Sequence, residues 1–159
     1  MSNKFRPHVL VLPEDDANRQ IANGFLLEPS LRQRNLQILP PAGGWAVARD
    51  KLKAVHLPEL AKFPQRILVV LVDFDERLER RQQVMGDVQG EICGRLFVLG
   101  VFSEPERLKA ARGRSYEQIG QDLAAGCAAR TDEAWGHELL AHNAEEATRL
   151  MAVAGPVLF

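Results

Sequence analysis

The chain has 159 residues, with 20 Lys and Arg against 21 Asp and Glu, and 46% of it is hydrophobic. That length is one ordinary domain able to bury its own core, so a single domain is expected over residues 1–159. The net charge of −1 excludes a global field for nucleic acid or anionic membrane, and two cysteines exclude a disulfide framework.

The opening MSNKFRPHVLVLPEDD has no long apolar region before a small-residue cleavage site. No apolar run approaches the length of a bilayer span, so a soluble cytoplasmic protein without a membrane partner is expected. Cys93 and Cys127, which lack CxxC spacing, read as small buried hydrophobes.

Residues 8–12 (HVLVL) form the first strand, and residues 18–27, with Ile21 and Phe25 one turn apart, a helix. A weaker strand at 35–39 (NLQIL) stops at Pro40 and Pro41, where the ladder would lose its donors. PPAGGW then offers Gly43 and Gly44 in a loop ahead of a helix over 45–60. The reading there is a sharp turn first and a phosphate cradle second, since the GKS or GKT ending of a Walker loop is missing. Residues 66–72 (RILVVLV) and 95–102 (RLFVLGVF) are the third and fourth strands, separated by a charged helix over 76–84. After them come helices at 104–111, 115–129 and 132–153, the last with Trp135, Leu139 and Leu150 as its packing stripe. His137 and His142 are five apart, which is not the spacing that sets two zinc ligands on one helix face.

The strand runs are nearly continuous in apolar residues, as in strands covered on both faces. Alternation with helices therefore predicts an α/β fold: an open, mostly parallel four-stranded sheet, helices on both faces, and residues 104–159 as a helical extension packed on it.

Two acidic signals end strands. VLVLPEDD places Glu14, Asp15 and Asp16 after the first, and LVVLVDFDERLERR places Asp73 and Asp75 after the third. Ligand crevices in open α/β sheets lie beyond the carboxyl ends of the strands, at the switch point, where first and third strands can be neighbours. Carboxylates converging there raise one another's pKa unless a hard cation joins them, and oxygen ligands favour Mg²⁺ or Mn²⁺ over zinc. Such an ion suits phosphodiester chemistry, with Arg77, Arg80 and Arg81 beside the acids to hold phosphates. Asp16 reads as the cap of the following helix, Glu14 as a ligand, and Asp15 as its assistant.

In these motifs the chain resembles the Toprim domain, the catalytic module of topoisomerases, bacterial primases and overcoming-lysogenization-defect nucleases. Glu14 in LPEDD matches that family's glutamate, and Asp73-Phe74-Asp75 its DxD, over roughly residues 8–103. The topoisomerase pattern has glycine after the glutamate and a third acid two positions beyond DxD, where this chain has Asp15 and Arg77, so the nuclease branch is the nearer match. That resemblance implies Glu14, Asp73 and Asp75 as catalytic residues and a further acidic ligand after the fourth strand, Glu104 or Glu106. It also implies a nucleic-acid substrate, DNA ahead of RNA, and a separate ATPase subunit; a homodimer stays open.

The chain is similar as well to response-regulator receiver domains, with Asp15 and Asp16, Asp73 and Ser103 in the matching places. A receiver also needs a lysine after a fifth strand, and the last lysine here, Lys109, falls on a helix. The alternative function is accordingly a receiver-like or inactive acidic module that works by binding a protein partner.

Overall fold

The computed structural model describes residues 4–159. Four parallel strands make one sheet in the order β2-β1-β3-β4: β1 (His8–Pro13), β2 (Leu36–Ile38), β3 (Arg66–Leu71) and β4 (Leu96–Leu99). β1 and β3 run side by side from His8 opposite Arg66 to Pro13 opposite Leu71. Leaving β1 for β2 and returning past it to β3, the chain reverses direction between these two strands, the switch point of a doubly wound sheet.

Alternate residues supply the two faces. Leu10 and Leu12, Leu68 and Val70, and Leu96 and Val98 face one layer. It is closed by a helix that runs from α2 (Trp45–Lys51) through a π-helical segment, Leu52–His56, into α3 (Leu57–Lys62), and by α4 (Arg80–Met85). Val9, Val11, Ile67, Val69, Phe97 and Leu99 face the other layer, covered by α1 (Asp16–Phe25) and α7 (Ala144–Leu158). Both faces are buried, which accounts for the unbroken apolar runs of the strands.

α5 (Pro105–Arg112) and α6 (Tyr116–Ala129) form a third cluster through Leu108, Ile119 and Leu123, with Val101 beneath and Ile21 and Phe25 of α1 against it. α6 lies on α1 at backbone distance. A Cβ on Gly24 would stand 2.0 Å from the Glu117 carbonyl oxygen, and one on Gly120 would stand 1.8 Å from that of Ile21.

One helix expected from sequence is shorter than its pattern suggested. Residues 132–140 form irregular backbone and turns, Ala141–Asn143 a short 3-10 helix, and α7 starts only at Ala144. Trp135 leaves helical packing to donate its indole N–H to the Leu123 carbonyl at 3.0 Å, and the buried Asn143 spends its side-chain amide on the carbonyls of Gly100 and Leu140. The Asn143 bond to Leu140, three residues back, is a local side-chain bond of the kind that competes with helix formation. In the C-terminal segment, α7 supplies Ala154 and Leu158 to the core of the sheet.

Candidate metal centre at the switch point

Glu14 is the first residue beyond β1, and its backbone N–H continues the ladder by donating to Leu71 at 2.8 Å. The same register brings the end of β3 alongside, so the Asp73 N–H donates to Glu14 Oε1 at 3.1 Å across 59 positions of sequence. Asp15 caps α1, its Oδ1 accepting from the backbone N–H of Asn18 at 3.0 Å. Asn18, 2% exposed, turns its side-chain amide the other way and donates from Nδ2 to Asp15 Oδ1 and Asp73 Oδ1, each at 2.8 Å. One carboxylate oxygen from each of Glu14, Asp15 and Asp73 lies within 4.8 Å of the others.

This group has no cationic partner: among the described residues, no ion pair includes Glu14, Asp15 or Asp73. Glu14 is only 6% exposed, and its Oε2 is buried without a hydrogen-bond partner. Burial first, and the Asp73 charge second, push the Glu14 carboxyl up to about 9. Asp73 is also desolvated and rises to about 6, restrained by its hydrogen bonds with Asn18 and Glu14. In the metal-free chain a proton shared between Glu14 and Asp73 relieves the repulsion of the two carboxylates. A divalent cation satisfies the same oxygens without that proton, and this buried acidic triad could hold one.

The other residues expected at the site lie elsewhere. Asp75 is outside the triad, more than half exposed, with its Oδ2 3.3 Å from Arg80 Nη1. Glu104 is the exposed residue before α5, and neither it nor Glu106 belongs to the group. Asp16 does not cap α1; it sits in the first turn and pairs with Arg19 and Gln20, while Asp15 takes the cap. Gly43 and Gly44 present no free amides to a phosphate, because both N–H groups donate to the Glu14 carbonyl at 2.8 Å. Their φ values of 106° and 120° explain the glycines.

The arginines divide as well. Arg77 is exposed. Arg80 is buried, donating to the Asp73 carbonyl at 3.1 Å. Arg81 turns inward over the Phe74 ring, donates to the Val98 carbonyl at 3.0 Å and lies 3.9 Å from the buried Glu146. Two of the three expected phosphate ligands therefore serve the fold. Phe74, the middle residue of the DxD stretch, is fully buried against the edge of the His142 ring, which burial keeps down at about 4.

Sequence reasoning missed two features. Asn18 had no signal beyond its place three residues after Asp15, the spacing at which a cap receives its N–H. Tyr116, the first residue of α6, has its phenol raised by burial and then by Glu106, Asp15 and Asp73; Lys109 stands 4.9 Å over its ring.

Fold and site together define a doubly wound parallel α/β protein with a buried, uncompensated acidic group at its switch point. Comparisons with protein-family models, curated proteins and solved structures find no match to the chain.

Proposed function

We propose that this chain is a Mg²⁺- or Mn²⁺-dependent enzyme that cuts or rearranges nucleic-acid phosphodiesters at Glu14, Asp15 and Asp73. The observation that carries the reading is the buried, partnerless Oε2 of Glu14 inside a carboxylate group that no arginine or lysine neutralises. An all-oxygen donor set suits hard cations. Oxygens opposite one another across a Mg²⁺ ion are about 4.1 Å apart, which the 4.8 Å span of the group accommodates. When bound, the ion supplies Lewis-acid polarisation of a phosphodiester and a more acidic water.

The chain's own residues hold this chemistry in place. Asn18 fixes Asp15 and Asp73 from one amide, and the Asp73 N–H orients Glu14. Arg77, at the turn that follows Asp73, and Lys109, over the ring of Tyr116, are exposed and in no described ion pair, and they supply charge for flanking phosphates. The Toprim resemblance of LPEDD and DFD supports the same reading, with Asp75 in reserve beside Arg80.

The test is nicking of supercoiled plasmid with Mn²⁺. Wild type is expected to cut and Asp73→Asn to lose more than about 100-fold in rate. Activity that survives both Asp73→Asn and Glu14→Gln would exclude this site. Acyl-phosphate labelling of Asp73 without nicking would favour the receiver-like reading, for which Ser103, 1% exposed after β4, is the supporting residue.

A further inference from the structure

We infer that Arg80 and Trp45 are positioning residues of the acidic site, setting the separation of the Glu14 and Asp73 carboxylates and hence the size of cation accepted. This rests on the cation-binding reading above.

Arg80 opens α4 but is only 5% exposed, an expensive place for a guanidinium. Its Nη1 donates to the Asp73 carbonyl at 3.1 Å and to Asp75 Oδ2 at 3.3 Å, and its Nε is buried without a partner. Besides the exposed Asp75 carboxylate, the face of Trp45 stabilises the charge, its ring centroid 4.2 Å from the guanidinium carbon. The cation thus grips the main chain of a triad member and leaves that residue's carboxylate unneutralised.

Trp45 follows directly on the two glycines whose amides grip the Glu14 carbonyl. One loop therefore reaches both halves of the site. Gly43 and Gly44 fix the backbone that carries the Glu14 side chain, and Trp45, through Arg80, fixes the backbone that carries that of Asp73. β1 and β3 have stopped pairing where these residues sit, apart from the Glu14 N–H to Leu71 bond; the Asp73 N–H to Glu14 bond and the Phe74 N–H to Val101 bond still hold the two ends, and the loop adds its grip on both. Mg²⁺ and Mn²⁺ bind oxygen tightly at about 2.1 Å whereas Ca²⁺ tolerates 2.3–2.6 Å, so a shift of a few tenths of an ångström between the carboxylates changes which ion fits. Residues that orient metal ligands from outside contribute about 10–100-fold in affinity.

The experiment is calorimetric titration of the chelator-stripped full chain with Mn²⁺ and with Ca²⁺, alongside thermal unfolding in chelator. Trp45→Ala and Arg80→Gln are expected to lose about 10–100-fold in Mn²⁺ affinity and to shift the ratio of Mn²⁺ to Ca²⁺ affinity. Trp45→Phe keeps a face for the guanidinium and is expected to restore most of both; Arg34→Gln, on an exposed side chain just before β2, is expected to change neither. Wild-type affinity and ratio in folded Trp45→Ala would overturn the inference, as would a loss of equal size in Arg34→Gln. If Arg80→Gln fails to fold, the two Trp45 variants decide. Wild type that binds neither ion would overturn the cation-binding reading itself, and this inference with it.

Discussion

Glu14 carries more unfavourable electrostatics than any other carboxylate of the site: little exposed, one oxygen without a partner, and Asp73 beside it. Its carboxyl stands at about 9 in the fold against 4.5 in an open chain, so the folded state holds a proton that the unfolded state releases. Stability is therefore greatest at low pH and falls as pH rises from about 4.5 to about 9; Asp73 adds a smaller effect between 3.8 and about 6. His142 acts oppositely, because its pKa is lowered from 6.5 to about 4 and stability is lost as pH falls through that window. Above pH 6.5 only the Glu14 effect of these three persists. Thermal unfolding in chelator is accordingly expected to show a melting temperature that declines from pH 6.5 to 9 in wild type and is nearly flat in Glu14→Gln. Asn18 belongs to the same scale. Replacing it with Ala leaves Asp15 and Asp73 without their shared donor and is expected to cost about 1–3 kcal/mol in chemical denaturation.

Helix and strand patterns follow from local chemistry more closely than their junctions do. The capping box of α6, with Ser115 and Gln118 bonded reciprocally, stands at the start of the helix expected over 115–129. The turn at 73–79 is different. Asp75 and Glu76 both adopt positive φ, 51° and 62°, while the N–H groups of Phe74 and Glu76 donate to Val101 and Phe102. Those long-range bonds delay α4 to Arg80, four residues after the helix expected at 76. Where α1 and α6 cross, the glycine pair admits no side chain, since the atoms a Cβ would strike are backbone carbonyls. Gly120→Ala is expected to destabilise the protein by about 1–3 kcal/mol, read as a lower denaturation midpoint at unchanged slope.

Across the whole molecule the sheet needs both helical layers. α7 closes the face bearing Val69, Phe97 and Leu99 and is tied to it by Arg149, which donates to the Cys93 and Leu96 carbonyls and stacks on Phe97, and by Glu146, which accepts from the Val98 N–H. Deleting residues 144–159 is expected to abolish the cooperative unfolding transition, because it uncovers an apolar sheet face and strands the buried Glu146 partners. Cation binding is a global stabiliser by the same logic. At about 100 times its dissociation constant, Mn²⁺ adds about 2.7 kcal/mol, a rise of roughly 5–11 °C in melting temperature for wild type and none for Asp73→Asn.

The order of strands and helices, the parallel sheet and the position of Glu14 and Asp73 at strand ends were all legible in sequence, because apolar periodicity and proline placement act within a few residues. What only the tertiary structure decided is where side chains point once a strand has ended. Asp15 caps while Asp16 faces solvent, Asp75 pairs with Arg80, and Arg81 turns to Glu146. The amides of Gly43 and Gly44 are taken by Glu14. Arg81 depends on a partner that the packing of α7 brings close, and the glycine amides on a carbonyl that the end of β1 presents to their loop. The Asp15 cap and the Asp75–Arg80 pair lie within three and five residues, but which of several neighbouring acids takes each place is set by the backbone path after the strand ends.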